Sequence, residues 1–306
     1  MQHCPIKLFR RRGVTLVEVL VSLSVIGLLL ALLLPAVQSS REAARKMNCL
    51  SNVKQIALGA LNYESIFGYF PSSGGLDQPS FLVKVLPQID QGPLFYRFDL
   101  DGSMASQSVL ASRRPDLLFC PSDSVAANNK LLRSYGGNVG WDEPFASNSA
   151  TEVASTGVIT YATYGPIGTR GVSDGLSNTA MISEMSSTGY SSQLQTRWNE
   201  RATGGRPFGR DPRLMASDCL AATSNYQFPN AASWISGGFA VTLYDHILPP
   251  NSRRCNWVTP SIGSHLSGNV STALCDGSAR QINNSIDVDV WRSIGTRRGG
   301  EVVSFP

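Results

Sequence analysis

The 306-residue chain has few of the residues from which catalytic sites are built. It contains three histidines, only 16% of its residues are charged, and no Cys-x-x-Cys pair occurs. The missing pair excludes thioredoxin-type chemistry and structural zinc sites of the common spacing. A His-Glu-x-x-His helix and a complete phosphate loop are also missing. We therefore predict that the chain is not an enzyme and that it carries no cofactor.

The excess of positive charge lies at the start of the chain. The formal net charge is +4. Four basic residues precede Gly13 with no acid among them, namely Lys7, Arg10, Arg11 and Arg12. Without residues 1–13, 22 of the 26 basic residues remain against 22 acidic ones. Because the rest of the chain is close to neutral, the sequence predicts no nucleic-acid partner.

A long apolar run follows the basic residues and covers positions 14–34, where Glu18 is the only charge. As a helix the run reaches ~31 Å, which matches the ~30 Å hydrocarbon core of a bilayer. The core of a cleavable signal is shorter, typically ~7–15 residues. Basic residues before a span are retained in the cytoplasm. The sequence therefore predicts a single pass through the inner (cytoplasmic) membrane, with everything after Pro35 outside.

Glu18 is unusual inside such a run. An ionisable group in an apolar span costs about 2.5–3.5 kcal/mol by insertion scales and usually has a partner or a function. Alternatively, it lies close enough to the interface to stay hydrated, where the cost is small. The residues alone leave both interpretations open.

The segment Gly13-Val-Thr-Leu-Val-Glu18 resembles the cleavage and methylation motif of type IV prepilins and type II secretion pseudopilins. The resemblance implies that a prepilin peptidase cuts after Gly13 and methylates the new amino terminus, Val14, where the family usually has phenylalanine. It also implies that Glu18, as the fifth residue of the mature chain, pairs with the free amine of a neighbouring pilin-like subunit.

Helical periodicity continues beyond the apolar run. Apolar residues recur at steps of three and four, which predicts a helix to about Tyr63 with a kink at Pro35. The 28 glycines and 17 prolines favour turns and short strands in the remainder, including a strand over Phe81–Leu86, with a brief helix within 88–100. The expected divisions are a leader (1–13), a transmembrane helix (14–35), an amphipathic stem (36–67) and an extracytoplasmic sheet domain (68–306) with a surface excursion over about 186–245.

The clearest turn signal is Asp276-Gly277, which separates the alternating segments Asn269–Cys275 and Ser278–Asn283. A two-residue Asp-Gly link predicts a hairpin with a type I′ turn, in which both residues have positive φ. Asp276 is thereby explained as a turn residue.

The same region carries a second resemblance. His265, followed after ten residues by Asp276-Gly277, is similar to the C-terminal signature of a bacterial prepilin-like family that carries domain of unknown function 1559, in which nine residues separate the two parts. Further matching segments are Asn48–Gln55, Phe119–Asp123, Ser134–Gly137, Asp174–Thr179 with Glu184, and Thr296–Glu301. The resemblance implies an α+β, pilin-like fold in which a long N-terminal helix packs on an antiparallel sheet. A solute-binding role is attached to the family's name without a defined ligand.

Six cysteines fit an extracytoplasmic chain that becomes oxidised. Cys4 lies in the leader, and Cys275 lies at a strand position where a thiol packs as a small apolar group. The other four can pair in three ways, and we favour the one that joins Cys49 to Cys120 and Cys219 to Cys255.

Two functions fit these features. The first is a structural subunit of a pilus- or pseudopilus-like fibre. The second is a membrane-tethered module that binds a solute or polysaccharide in an aromatic cleft. The candidate cleft residues, which also fit an ordinary core, are Trp141, Trp198, Trp234, Trp257, Tyr135, Tyr161 and Tyr164. Calcium is a minor option at Asp99 and Asp101, or at Asp174, Asn178 and Glu184.

Overall fold

The computed structural model describes residues 13, 15–75, 77–141, 156–160, 165–185, 213, 216–217, 233–238, 241–252, 261, 263–264 and 268–301. The chain divides into two compact units, Met1–Ala44 and Arg45–Pro306. The second unit is called the head below.

One long helix, α1, begins at Leu16 and ends at Phe67. It continues without interruption through Pro35 and ends about one turn after the predicted end. Gly68 follows it with φ of +80°, and its N–H donates to the carbonyl of Glu64 at 2.7 Å. Glycine suits this position because the left-handed conformation has no Cβ penalty there.

In the first unit, the side chains of α1 from Leu16 to Ser40 are all exposed. Within the described part of the chain, α1 is the one helix that is long and apolar enough to cross a membrane.

Among the described residues, the head contains short helices and five strands. The helices are α2 (Phe81–Lys84), α3 (Gly92–Phe95), α4 (Ser108–Ala111), α5 (Ser124–Asn128) and α6 (Val288–Gly295). The strands are β1 (Tyr135–Asn138), β2 (Ala180–Glu184), β3 (Leu243–Tyr244), β4 (Asn269–Leu274) and β5 (Ala279–Asn283). Single 3-10 turns lie at Leu86–Ile89, Met104–Gln107, Asp116–Leu118 and Thr169–Gly171.

The strand predicted over Phe81–Leu86 is wrong, because Phe81–Lys84 forms α2. Ser80 starts this helix, since its hydroxyl accepts from the N–H of Val83 at 3.3 Å. The apolar residues of α2 are buried, so their pattern has no period that distinguishes strand from helix. The brief helix expected within 88–100 is confirmed by α3.

The five strands form one sheet in the order β3-β1-β2-β4-β5. All neighbours are antiparallel except β1 and β3, which are parallel. The α+β, pilin-like architecture is confirmed, but the sheet is mixed where an antiparallel one was expected. A parallel pair needs a crossover of a dozen or more residues, and the long stretch between β1 and β3 provides it.

The prediction of a surface excursion over about 186–245 is wrong for the last part of this range. Most of it lies outside the described residues, but Trp234, Ile235, Leu243 and Tyr244 are fully buried, and the last two form β3. A two-residue strand has too little sequence for an alternating pattern, so periodicity could not reveal it.

Two apolar clusters formed by the described residues cover the sheet. One contains Cys49, Val53 and Ile56 of α1 with Ala273 of β4, and the other contains Trp291 of α6 with Val270 of β4. Residues an odd number of positions apart on a strand point to opposite faces. The head is therefore layered, with the part of α1 after Ala44 on one face of the sheet and α6 on the other.

The predicted hairpin is present, but the prediction of a type I′ turn is wrong. Strands β4 and β5 pair antiparallel through Ala273 and Ala279. Gly277 has φ of +82°, whereas Asp276 is not among the residues with positive φ. The N–H of Leu274 donates to Ser278 and the N–H of Gly277 donates back to Leu274, so the loop has three residues. Such a loop combines a type I turn with a left-handed glycine.

Candidate functional site

The first turn of α1 holds Glu18 through reciprocal hydrogen bonds with Thr15. The Glu18 carboxylate accepts from the Thr15 backbone N–H at 2.8 Å and from the Thr15 hydroxyl at 2.9 Å. In return, the Thr15 hydroxyl accepts from the Glu18 N–H at 3.3 Å. This is a capping box, which satisfies N–H groups that a helix start otherwise leaves unpaired.

The capping box places a carboxylate three residues from Thr15 at the positive end of the helix dipole. Gly13 is exposed, and a Cβ added to it would have no described atom within 4 Å, so the backbone there is open to approach. Val14 lies outside the described residues. Cleavage after Gly13 would create an amine one residue before Thr15, close in sequence to the Glu18 carboxylate.

A disulfide fastens the part of α1 after Ala44 to the rest of the head. It joins Cys49 of α1 to Cys120, which lies 71 residues further along the chain, and both residues are fully buried. The Asn52 side-chain amide donates to the Phe119 carbonyl at 2.9 Å. The Tyr135 hydroxyl donates to the Cys49 carbonyl at 3.3 Å. The structure thus joins the expected pair Cys49–Cys120, whereas Cys219 and Cys255 lie outside the described residues.

The C-terminal end of α1 has a second attachment. The Glu64 carboxylate accepts from both the N–H and the hydroxyl of Thr169, each at 2.9 Å. A Cβ on Gly168 would lie 2.6 Å from the Gly68 carbonyl oxygen. The glycine therefore permits a close approach between this loop and the end of α1.

The Asp276-Gly277 turn packs against the same helix. A Cβ on Gly277 would lie 2.9 Å from a methyl group of Leu58 and 3.1 Å from one of Leu61. The Asp276 carboxylate accepts from the Ser278 N–H at 2.8 Å, which stabilises the turn. Asp276 and Gly277 therefore position the hairpin on α1, whereas His265 lies outside the described residues.

Asp174 binds the C-terminal segment. Its carboxylate accepts from the N–H groups of Gly299 and Gly300 at 2.7 and 3.0 Å, and from the Thr296 hydroxyl at 3.3 Å. The Arg297 carbonyl accepts from the Asp174 N–H at 3.3 Å. Two segments that resemble the family signature thus meet through hydrogen bonds that order the chain end.

The two oxygen-rich sets considered for calcium are engaged in local structure. The Asp99 carboxylate accepts from the N–H groups of Asp101 and Gly102 at 3.2 and 3.1 Å. Asp174 binds the C-terminal segment, whereas Glu184 is at the other end of β2 and accepts from the Ser271 N–H at 2.9 Å. The second set is therefore not gathered around one point.

Glu184 is fully buried at the end of β2. Burial, and then the charge of Asp123, raise the pKa of Glu184 to about 8, although the hydrogen bonds from Ser271 oppose this shift. The shift favours the protonated form of Glu184 compared with an exposed glutamate. Its carboxylate and the sulfur atoms of Cys49 and Cys120 all lie within 4.8 Å of one another.

His246 is a packed core residue. It stacks on Trp291 with ring centroids 3.9 Å apart, and its ring nitrogens face the Trp291 carbonyl at 2.7 Å and the Tyr244 hydroxyl at 3.1 Å. Burial lowers the pKa of His246 to about 3. A neutral imidazole held between these partners supports the helix–sheet packing of α6.

One serine lies in a pattern that is typical of hydrolases. Gly171-Val-Ser173-Asp-Gly175 has the Gly-x-Ser-x-Gly spacing of a nucleophile elbow. An elbow requires a strand, a sharp turn and a helix, whereas here a single 3-10 turn precedes an exposed Ser173 and an irregular turn follows it. The Ser173 hydroxyl donates to the Arg297 carbonyl at 3.4 Å. The motif therefore belongs to the attachment of the C-terminal segment.

Most of the candidate cleft aromatics that the structure describes belong to the core. Trp234 and Tyr135 are fully buried, and the Trp234 indole donates to the Ala111 carbonyl at 2.7 Å. Trp141 is partly exposed, with the Arg292 guanidinium 5.4 Å from its ring. Trp198, Trp257, Tyr161 and Tyr164 lie outside the described residues.

Comparison with protein-family models gives two matches. Residues 8–34 match the prokaryotic N-terminal methylation motif, and residues 38–289 match a family described as protein of unknown function (DUF1559). The chain belongs to the DUF1559 family. No curated protein and no solved structure matches the chain. The N-terminal match makes this DUF1559 protein a type IV pilin-like precursor, and α1 fits its anchoring in a membrane.

The sequence identified Gly13 and Glu18, but it did not reveal the roles of Thr15 and Glu64 or the role of Asp174 in holding the C-terminal segment. Thr15 was detectable, because Thr-x-x-Glu before an apolar run is the sequence pattern of a capping box. The contacts of Glu64 and Asp174 join residues more than one hundred positions apart, and no local pattern marks them.

Proposed function

We propose that this protein is a structural subunit of a pilus- or pseudopilus-like fibre that serves secretion or adhesion. A prepilin peptidase cleaves it after Gly13 and methylates Val14. The α1 segment then holds it in the inner membrane, with the basic leader in the cytoplasm and the head outside. Assembly with other pilin-like subunits proceeds through α1 and Glu18.

The observation that carries the proposal is the exposed apolar surface of α1 together with its single carboxylate. From Leu16 to Ser40 no side chain is covered by its own unit. Exposed apolar surface of this extent requires lipid or another protein chain to cover it. Glu18 is the charged group within that surface, and the amine created by cleavage has the complementary charge.

The capping box explains how Glu18 is held in the precursor. Its carboxylate has two Thr15 hydrogen bonds, so the acid is positioned at the helix start before any subunit arrives. A helix dipole also favours a negative group at this end. After cleavage, the carboxylate is available at the level of the amino terminus for pairing between neighbours.

Substitution of Glu18 tests the assembly step. We expect Glu18→Ala to remain in the membrane fraction but to lose chemical crosslinking to neighbouring subunits in the native host. Ser24→Ala is the matched control, because Ser24 is also an exposed polar residue of the apolar segment and bonds only the Val21 carbonyl. Unchanged crosslinking of Glu18→Ala would contradict the proposal and favour a simple membrane tether.

A further inference from the structure

Three polar side chains form a row across neighbouring strands of the sheet. Glu184 of β2 lies opposite Ser271 of β4 and accepts from its N–H at 2.9 Å. Ser271 is in turn the register partner of Gln281 of β5. Residues two positions apart on a strand share a face, and Ala273 of β4 packs in the cluster with α1. The row therefore lies on the face of the sheet that α1 covers.

The Ser271 hydroxyl contacts the side chains on both sides of it. It accepts from the Gln281 side-chain amide at 2.6 Å, which is shorter than the usual range of about 2.7–3.2 Å for such bonds. It also donates to the Glu184 carboxylate. Because Nε2 of Gln281 is bonded to Cδ, the electrophilic carbon of the amide is one covalent bond beyond the atom that the hydroxyl touches. A hydroxyl bonded to a carboxylate and close to a carbonyl carbon has the arrangement of an activated nucleophile.

The row is buried at one end and open at the other. Ser271 and Glu184 are fully buried, whereas Gln281 is exposed on the edge strand β5. Burial is the main cause that raises the pKa of Glu184 to about 8. A group with a pKa close to the ambient pH is suited both to accept and to donate a proton. The hydroxyl and its proton acceptor are thus shielded from water, while the amide nitrogen has a path to solvent.

We propose that Ser271 and Gln281 form an intramolecular ester, which cross-links β4 to β5, and that Glu184 transfers the proton in this reaction. Among the described strands, β5 pairs with β4 alone and forms one edge of the sheet. Hydrogen bonds by themselves allow such a strand to separate from the sheet, whereas a covalent bond retains it. The cross-link does not depend on assembly into a fibre, so its test is independent of the proposed function.

The reaction needs no cofactor and no second reagent. A small rotation of the amide presents Cδ of Gln281 to the Ser271 oxygen, which bonds to Cδ while the bond between Cδ and Nε2 breaks. Glu184 takes the hydroxyl proton and gives a proton to the leaving nitrogen, which departs as ammonia. One alcohol and one amide thus give one ester and one ammonia, and nothing is oxidised or reduced. Holding two reactants in contact is equivalent to a concentration of up to ~10⁵–10⁸ M. Escape of ammonia to solvent then prevents the reverse reaction.

Peptide mapping of the full-length protein, purified in detergent micelles with its cysteines reduced and alkylated, tests the cross-link. Trypsin cuts after Arg280 and thereby separates Ser271 from Gln281 in the chain. The two peptides cover residues 255–280 and 281–292. We expect one joined species, with the summed mass of the two peptides less one ammonia. Hydroxylamine, which cleaves esters and leaves amides intact, should separate it.

Gln281→Glu should abolish the joined species, because it removes the leaving nitrogen while keeping the size of an exposed side chain. Asn283→Ala is the matched control. The Asn283 amide lies on the same strand, but it donates to the Asn269 side-chain oxygen at 2.9 Å and not to a hydroxyl. This variant should give the joined species as the unsubstituted chain does.

Glu184→Gln should slow the appearance of the joined species after synthesis at least ~100-fold, since a positioned acid–base group typically contributes ~10²–10⁴-fold. Two separate peptides from the unsubstituted chain would overturn the proposal, and so would a joined species in Gln281→Glu. Joining in Glu184→Gln at the unsubstituted rate would overturn the role of Glu184. Gln281→Glu changes only an exposed residue, so its result stands even if Glu184→Gln fails to fold.

Discussion

The two parts of α1 form one continuous helix but differ in what surrounds their side chains. From Leu16 to Ser40 its side chains are exposed and mostly apolar, and the only carboxylate is hydrogen-bonded to Thr15 in the same turn. In the head, Cys49, Val53 and Ile56 are fully buried and held by contacts that are distant in sequence. The packing of α1 after Ala44 is thus specified by residues of the same chain, whereas no described residue of the chain covers the apolar surface of Leu16–Ser40. Changes in the head should therefore alter folding, and changes near Glu18 should alter assembly.

The largest expected effect follows loss of the disulfide. Replacing both Cys49 and Cys120 by Ala opens a loop of 71 residues, for which loop-closure entropy predicts a loss of about 4 kcal/mol in the unfolding free energy. Denaturant unfolding of the purified full-length protein measures this loss. Membrane retention should be unchanged, and loss of retention would contradict the separation between the two parts of α1.

The second effect concerns pH. Because the pKa of Glu184 rises from 4.5 to about 8 on folding, the folded state binds more protons than the unfolded state between these values. The unfolding free energy should therefore fall as pH rises through this window, by roughly 1 kcal/mol per pH unit for one proton. Glu184→Gln should remove that slope. Denaturation curves across the window check it, and an equal slope in the variant would assign the pH dependence to other groups.

A smaller effect is expected at the turn that packs on α1. Gly277→Ala places a Cβ against Leu58 and Leu61 in addition to straining a backbone with φ of +82°. Gly165→Ala is the control, because Gly165 has the same φ but no described atom within 4 Å of an added Cβ. We expect about 1 kcal/mol from the strain in both variants and about 1–3 kcal/mol more for Gly277→Ala. Equal losses of thermal stability would show that the turn does not pack tightly on the helix.

The smallest effect on stability is expected at the other end of α1. Thr15→Ala removes the capping hydroxyl and should cost the helix about 1 kcal/mol while leaving the Glu18 carboxylate in place. Crosslinking between subunits should then fall less in Thr15→Ala than in Glu18→Ala. If the two variants lose crosslinking equally, Glu18 acts through the helix cap and not through a neighbouring amine.

The features that the sequence predicted are those with local signals. The length of α1 follows from its apolar run and its periodicity, and the β4–β5 hairpin follows from the Asp-Gly turn between alternating segments. The short helix α2 and the strand β3 were missed because four buried apolar residues, or two, carry no period. The turn type was missed because Asp-Gly also fits a three-residue loop in which Gly277 alone has positive φ.

The residues of the candidate site also divide into those with a local sequence signal and those without one. Gly13 and Glu18 belong to one short motif and are recognisable in the sequence. Glu184 and Asp174 gain their roles from residues that the fold brings to them, such as Ser271 and Gly299. Their roles depend on tertiary contacts, so they became visible only once the sheet and the C-terminal segment were in place.

The most direct test of the central claim is the intact mass and N-terminal sequence of the protein isolated from membranes of its native host. The account predicts a chain that begins at N-methylated Val14 and retains the apolar part of α1. A chain that begins at Met1, or one from which the apolar segment has been removed, would contradict it.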